Sequence, residues 1–172
     1  KRINQEEIPK VAVLTAAFFV ASLVHVPLGP SSVHLILNGL IGLILGWAAF
    51  PALLVSLFFQ AVFFQFGGLT VLGVNTANMA LPAVVVYFLC SGMMRSDNYL
   101  LNIVGGFVAG AGAVAGAGVL VAVSLYLSSQ AFEWAAKAVL VAHIPIMIIE
   151  GIITVIMASF VKKVKPELLG IR

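Results

Sequence analysis

The stretch LLNIVGGFVAGAGAVAGAGVLVAVSLYL, residues 100–127, decides the fold class of this chain. It is an apolar run without a charged side chain, and a helix needs about 20 such residues to cross a bilayer. Gly106 and Gly110 are four residues apart, as are Gly112 and Gly116. Small residues at this spacing let membrane helices approach each other closely. The stretch therefore predicts a membrane-spanning helix that packs against other helices.

The rest of the chain has the same character. Of its 172 residues, 62% are hydrophobic and 9% are charged, and the mean hydropathy is +1.17. This composition excludes an ordinary soluble domain and predicts an all-α, polytopic membrane helix bundle with about six transmembrane helices. We expect residues 1–172 to form a single integral membrane domain. The net charge of +3 comes from few cations at helix ends, which indicates a lipid bilayer and no nucleic-acid partner.

Six apolar segments follow one another along the chain. They are residues 10–26, 32–49, 51–66, 79–94, 100–127 and 131–161. The second and third are short, so we expect them either to tilt or to form a helical hairpin with re-entrant character. A glycine-rich loop, residues 67–78, is expected before the fourth.

The cations predict the orientation of these segments. Those before the first segment, after the fourth and after the sixth fall on one side if the chain crosses six times, whereas Lys137 falls on the other. The positive-inside rule makes the first side cytoplasmic and places the C-terminus there. The outer side then receives a group of polar residues, namely His25, Ser32, His34, Asn75, Asn78 and His143.

Two histidines in the first outer loop are candidate ligands, because a buried polar side chain is costly unless it is paired or bound. Neutral imidazole suits nickel, cobalt, copper and zinc. His34 is expected at the N-terminus of the second helix and is the stronger candidate, although an interfacial, hydrogen-bonded histidine explains it equally well. His25, just before Pro27, fits a loop or packing role better. Ser32 is a further polar candidate in this loop.

Two amides and one carboxyl group are the remaining candidates. Asn75 and Asn78 are expected just before the fourth helix, where they either cap it or orient a metal-bound imidazole. Glu150 lies deep in an apolar run, which in a membrane suggests a functional role. It follows His143 by about two helical turns, so the two residues can share a face of segment six. We expect Glu150 to be a buried hydrogen-bonding group well below the outer residues.

Three stretches of the sequence resemble a known family. They are HVPLGPSSVHLILNGL from His25, GGLTVLGVNTANMALP from Gly67, and HIPIMIIEG from His143. With these motifs, and along nearly its whole length, the chain resembles the substrate-capture membrane subunit of cobalt and nickel energy-coupling-factor importers, a class of ABC transporter associated with cobalamin biosynthesis.

The resemblance implies a six-helix core with one extra N-terminal helix. It implies Co(II) or Ni(II) as the transported substrate, no organic cofactor, and a metal held by His34 together with a Met-His pair at the mature N-terminus. A square-planar set of nitrogen ligands suits both metals. This sequence has no Met-His pair, so we expect about thirty further residues upstream, enough for one ~20-residue span and its flanks.

The resemblance also implies partners. They are a transmembrane coupling subunit, two cytoplasmic ATPase subunits and often a small accessory membrane protein, all in the plasma membrane of a prokaryote. ATP hydrolysis would belong to these partners, so the chain itself is not expected to be an enzyme. The absence of a Walker phosphate loop from the sequence fits this division of labour.

Two other functions remain open from the residues alone. A proton-coupled secondary transporter would use Glu150 and His143, but the sequence lacks the internal repeats found in many such carriers. An intramembrane serine protease would pair Ser31 or Ser32 with His34, but no oxyanion motif accompanies these residues.

Overall fold

The computed structural model describes the backbone of residues 8–23, 25–28 and 31–171, and the side chains of residues 8–23, 35–129 and 131–171. Within these ranges the chain is helical, apart from one short β-hairpin and the short segments that connect the helices. The elements are α1 (Ile8–Ala21), β1 (His25–Leu28), β2 (Ser31–His34), α2 (Asn38–Leu45), α3 (Ala49–Phe64), α4 (Leu72–Arg95), α5 (Tyr99–Ser128) and α6 (Glu133–Val164). Short 3-10 turns lie at Gly46–Ala48, Gln130–Phe132 and Pro166–Leu169.

The predicted polytopic helix bundle is confirmed. In the described part of the chain, 4 helical stretches are long and apolar enough to cross a membrane, and α1 is a shorter apolar helix. Judged by length and composition alone, these stretches are Leu72–Arg95, Tyr99–Ser128, Glu133–Val164 and Asn38–Phe64, the last of which contains α2, the turn at Gly46–Ala48 and α3. Large apolar side chains such as Phe88 and Ile156 are each 61% exposed on the outside of the bundle. Exposed apolar surface of this extent is expected of a protein that faces lipid.

The connection between the first two helices differs from the prediction. α1 ends at Ala21, and residues 25–28 then pair with residues 31–34 in an antiparallel hairpin. Because this backbone is in a strand, the expectation that His34 begins the second helix is wrong. That helix begins at Asn38 instead.

The start of the fourth helix also lies earlier than predicted. α4 begins at Leu72, so the placement of Asn75 and Asn78 in a loop before the helix is wrong. The backbone N–H of Asn75 donates to the carbonyl of Val71, the residue that precedes the helix, at 2.9 Å. The Thr76 hydroxyl donates to Leu72 O at 2.8 Å. A hydroxyl that bonds back by one turn is compatible with a helix interior.

α2 runs parallel to α4. The Asn38 side chain donates to Met79 O at 3.3 Å, and one turn later Gly42 packs directly on the backbone of Ala83. The helix ends at Gly46, whose φ of 53° and ψ of −123° are readily adopted by glycine. This conformation turns the chain out of the helix.

α3 then runs back in the opposite direction. Leu53 shares a buried cluster with Ala83, whereas Gln60, about two turns further along α3, lines a cavity with Leu72 and Asn75. Residue numbers therefore rise along α3 as they fall along α4. Of the two predicted alternatives for these short segments, the structure has the helical hairpin.

Three of the four glycines in the predicted pairs of α5 pack closely against helices on two sides, whereas Gly112 makes only an ordinary contact. A methyl group on Gly110 would lie 2.5 Å from Glu150 O of α6, and one on Gly106 would lie 3.1 Å from the Cα atom of Val155, also on α6. On the other side, a methyl group on Gly116 would lie 2.8 Å from Pro82 Cβ of α4. α5 is therefore held closely between α4 and α6.

Three of the predicted same-side cations meet at one end of the bundle, here called the cationic end. Lys10 Nζ donates to Leu168 O at 3.3 Å, and Arg95 Nε donates to Leu169 O at 3.1 Å. Lys162 Nζ donates to the α4–α5 connection at 2.6 Å. The start of α1 and the ends of α4 and α6 therefore share one end, as the charge pattern predicts for these residues.

Candidate metal site

The β-hairpin holds the predicted ligand on its second strand. His34 is the register partner of His25, and Ser32 is the partner of Pro27. Directly opposed residues of an antiparallel ladder have Cα atoms about 4.5–5.5 Å apart. The side chains of His25, Ser32 and His34 lie outside the described residues, as does that of Ser31. The backbone alone makes His25 the cross-strand neighbour of His34, a relationship that sequence reasoning missed.

Glu150 is bound to the segment that follows His34. Its Oε1 atom accepts hydrogen bonds from the backbone N–H groups of Ile36 and Leu37, the latter at 3.0 Å. Its Oε2 atom lies 3.0 Å from Leu37 N as well. Glu150 is 0% exposed. The prediction of a buried hydrogen-bonding group is confirmed.

The expectation that Glu150 lies well below the first outer loop is wrong for its carboxyl group, which lies close to the end of β2. Two residues of chain span at most about 7 Å, so Ile36 N lies within that distance of the Cα atom of His34. The Glu150 carboxyl group, which Ile36 contacts directly, is therefore close to the base of the second strand. The chain dips into the bundle after the hairpin, and the carboxyl group meets it there.

Asn38, the amide near the end of the polar stretch that begins at His25, received no specific role from the sequence. It is 0% exposed, and its Nδ2 atom donates to Met79 O and Ala113 O, each at 3.3 Å. Its Oδ1 atom is buried and has no hydrogen-bond partner among the described residues. A buried amide flanked by apolar residues was the available signal. It ties the start of α2 to α4 and α5.

Asn75 lies beside a small cavity of about 190 Å³ between α3 and α4. Gln60 lines the same cavity, is 3% exposed, and has a buried Nε2 atom without a partner in the described part of the chain. Gly67 adopts a φ of 72°, and a methyl group there would lie 2.7 Å from Asn75 Nδ2. Gln60 was missed in the sequence because it sits in a phenylalanine-rich helix.

The other two predicted polar residues contact neighbouring helices. Asn78 Nδ2 donates to Ser124 Oγ of α5 at 3.3 Å. The Nδ1 atom of His143 lies 2.7 Å from Val139 O in its own helix. The His143 ring also packs on Gly118, where a methyl group would come within 3.2 Å of it. These contacts join each residue to its own or an adjacent helix, and none of them joins Asn78 or His143 to Glu150.

The described side chains do not form a complete metal site by themselves. Among them, no group of three or more His, Cys, Asp or Glu residues is placed to hold a metal ion. What they form is a support: α4, α5 and α6 hold residues 36–38 through Glu150 and through the Asn38 amide. This support carries the strand on which His34 lies.

Comparison with known proteins agrees with the resemblance noted in the sequence. The family model of CbiM, the cobalt uptake substrate-specific transmembrane region, matches residues 1–168. A Haemophilus influenzae protein named for metal transport is 43% identical over 172 residues, which is 99% of this chain and 84% of the relative. The fused nickel transport protein NikMN of Rhodobacter capsulatus is 31% identical over 99% of this chain and 55% of its own length.

A solved structure has the same architecture. The crystal structure of a truncated transition metal transporter matches with a TM-score of 0.71 and 26% sequence identity, over 94% of this chain and 83% of that one. The family model, over residues 1–168, covers the hairpin, the α2–α3 turn and the long helices together. The chain belongs to the CbiM family, the cobalt uptake substrate-specific transmembrane proteins.

Proposed function

We propose that this chain, acting as one integral membrane domain, is the substrate-capture subunit of an ATP-driven importer of Co(II) or Ni(II). It binds the metal at the outer face and delivers it inward together with partner subunits. The family match over residues 1–168 carries this proposal. The helical bundle, with a short polar hairpin anchored in its interior, supports it.

His34 is the proposed metal ligand of this chain. Its imidazole is a ligand type that both Co(II) and Ni(II) accept, and a nitrogen-rich site disfavours magnesium and calcium. His25, its cross-strand partner, is proposed to pack within the hairpin, and Ser32 is proposed to orient the ligand or shape the mouth of the site. The other ligands implied by the family resemblance, a Met-His pair, are not encoded within this sequence.

The proposed orientation follows from the cationic end. Lys10, Arg95 and Lys162 lie there, and positively charged ends face the cytoplasm in most membrane proteins. We therefore assign the C-terminus to the cytoplasm and the hairpin to the outer face of a prokaryotic plasma membrane. Asn75, Asn78 and His143 are then proposed to shape the outer half of the bundle.

Partner subunits are proposed to supply the energy. The relative from Rhodobacter capsulatus is named as a fused nickel transport protein, and a relative from Methanocorpusculum labreanum is named as a fused cobalt transport protein, CbiMQ. Such fusions support transport by an assembly. We propose a transmembrane coupling subunit, two cytoplasmic ATPase subunits and a small accessory membrane protein as partners. The chain itself performs no chemical reaction, and no organic cofactor is required.

Uptake of radioactive cobalt and nickel into cells tests this function. Cells that express the chain with its partners should accumulate metal, and a partner ATPase variant that cannot hydrolyse ATP should abolish uptake. His34→Ala should also abolish uptake, whereas His25→Ala serves as the matched change in the same hairpin and should retain most of it. Uptake that persists without the ATPase and is lost in Glu150→Gln would contradict the proposal and indicate a proton-coupled carrier.

A further inference from the structure

We propose that Glu150 is a positioning residue: it binds the backbone immediately after the hairpin and thereby fixes the place and depth of His34. The inference rests on the proposed function insofar as it treats His34 as the metal ligand. The anchoring itself is a property of the fold and can be measured without metal.

The contact is a carboxyl group held by two consecutive backbone N–H groups. Ile36 and Leu37 both donate to Oε1 of Glu150, and Leu37 lies 3.0 Å from each carboxyl oxygen. Consecutive backbone N–H groups that converge in this way form a concave anion-binding nest. Leu37 adopts a left-handed conformation with φ 49° and ψ 15°. A leucine seldom adopts this conformation, and it persists where surrounding contacts fix it.

The same contact is hard to explain as ordinary packing. Burying a carboxyl group in an apolar bundle is costly, and apolar residues of similar size would fill the space without that cost. The ion pair identified among the described side chains joins Lys137 and Glu133, at the start of α6 and far along the helix from Glu150. Glu150 instead accepts hydrogen bonds from the backbone N–H groups of residues 36–37, which follow β2.

A second anchor acts just beyond the first. Asn38 donates to carbonyl groups of α4 and α5, while Glu150 belongs to α6. Three helices therefore hold residues 36–38. At most about 7 Å of chain separates the His34 and Ile36 Cα atoms. A shift of α6 relative to α4 and α5 would therefore also displace the backbone of His34, the proposed ligand.

Thr154 provides a matched control on the same helix face. It follows Glu150 by one turn, is 0% exposed, and has an Oγ1 atom without a hydrogen-bond partner among the described residues. Thr154→Val thus removes a buried polar group from the same region but leaves residues 36–37 bound. A general loss of buried polarity would affect Glu150→Leu and Thr154→Val alike, whereas a loss of positioning would affect Glu150→Leu alone. Leucine removes both carboxyl oxygens, whereas glutamine keeps an Oε1 acceptor for the N–H groups of Ile36 and Leu37.

The first measurement follows the hairpin without metal. Spin labels at Ser31→Cys and Lys137→Cys, in full-length protein with Cys90→Ala, report the distance between the hairpin and the start of α6. The distance distribution should be narrow in the parent and in Thr154→Val, and it should broaden or shift in Glu150→Leu. An unchanged distribution in Glu150→Leu would overturn the proposal. If that variant fails to fold in detergent, Asn38→Ala should show a smaller broadening, and no broadening there would also overturn it.

The second measurement is a nickel titration of the same full-length protein. Misplacing a ligand through its supporting contacts typically weakens metal binding by about 10- to 100-fold. Glu150→Leu should show a loss in that range, and Thr154→Val should not. If His34→Ala weakens binding but Glu150→Leu binds normally, the positioning role is wrong and the proposed function stands. If His34→Ala binds normally while Glu150→Leu broadens the distance distribution, the ligand assignment is wrong and the anchoring stands.

Discussion

Replacing Gly110 by alanine should separate α5 from α6 at the level of Glu150. The added methyl group would lie 2.5 Å from Glu150 O and 2.5 Å from Thr154 Oγ1. The carbonyl is part of the α6 backbone, so the contact can be relieved only if a helix moves. Gly112, two residues later on α5, is the matched position, because a methyl group there would meet Val86 Cγ1 at 3.5 Å, an ordinary contact distance.

Helix propensity and overpacking change the free energy of unfolding in opposite directions. Alanine is favoured over glycine in a helix interior by about 1 kcal/mol, and this gain applies at both positions. Overpacking a tight interior costs about 1–3 kcal/mol, and this cost applies at Gly110 alone. We therefore expect Gly112→Ala to raise the free energy of unfolding by up to about 1 kcal/mol, and Gly110→Ala to lower it by up to about 2 kcal/mol.

Reversible unfolding in mixed micelles, followed by circular dichroism as the denaturing detergent increases, measures both variants against the parent. The two variants should differ by the overpacking cost, about 1–3 kcal/mol. Equal stabilities, or a Gly110→Ala variant more stable than Gly112→Ala, would refute the close approach of α5 and α6 as the reason for this glycine.

Three further predictions concern single contacts. Gln65 ends α3 with a φ of 60°, so Gln65→Gly should raise the free energy of unfolding by about 1 kcal/mol in the same assay, and a decrease would contradict the assigned conformation. Lys162→Ala should lower the free energy of unfolding by about 1–3 kcal/mol, because it removes the hydrogen bond to Ser96 O. Lys163 is exposed, so Lys163→Ala should leave the free energy of unfolding nearly unchanged, and equal effects of the two variants would argue against that hydrogen bond. A double-mutant cycle of Asn78→Ala and Ser124→Ala should give a coupling of about 0.6 kcal/mol, and additive effects would show that their hydrogen bond contributes nothing.

The bundle could be predicted from the sequence because a lipid-embedded chain must satisfy its backbone within helices. The α5 stretch, with its uncharged run and its regularly spaced glycines, predicts both a span and close packing, and both are found. The grouping of Lys10, Arg95 and Lys162 at one end could also be predicted, because charged side chains remain at the ends of membrane spans.

The errors arose where tertiary contacts override local preference. Gly73, Asn75 and Asn78 resemble a loop by propensity, yet they lie in α4, where the Asn78 amide finds a hydroxyl on α5. Local preference is a weak guide when a neighbouring helix supplies the hydrogen bond. The pairing of Glu150 with Ile36, residues 114 positions apart, could not be predicted because no local pattern reports it.

Calorimetric titration of the full-length protein with Ni(II) tests the metal-capture assignment most directly. The comparison needs the parent, His34→Ala and His25→Ala, since the two histidines are register partners in one hairpin. Removing a direct ligand should cost at least as much as removing its support, so His34→Ala should weaken binding by about tenfold or more, while His25→Ala should retain near-parent affinity. Nickel binding at parent affinity in His34→Ala would contradict the assignment of this residue as the metal ligand.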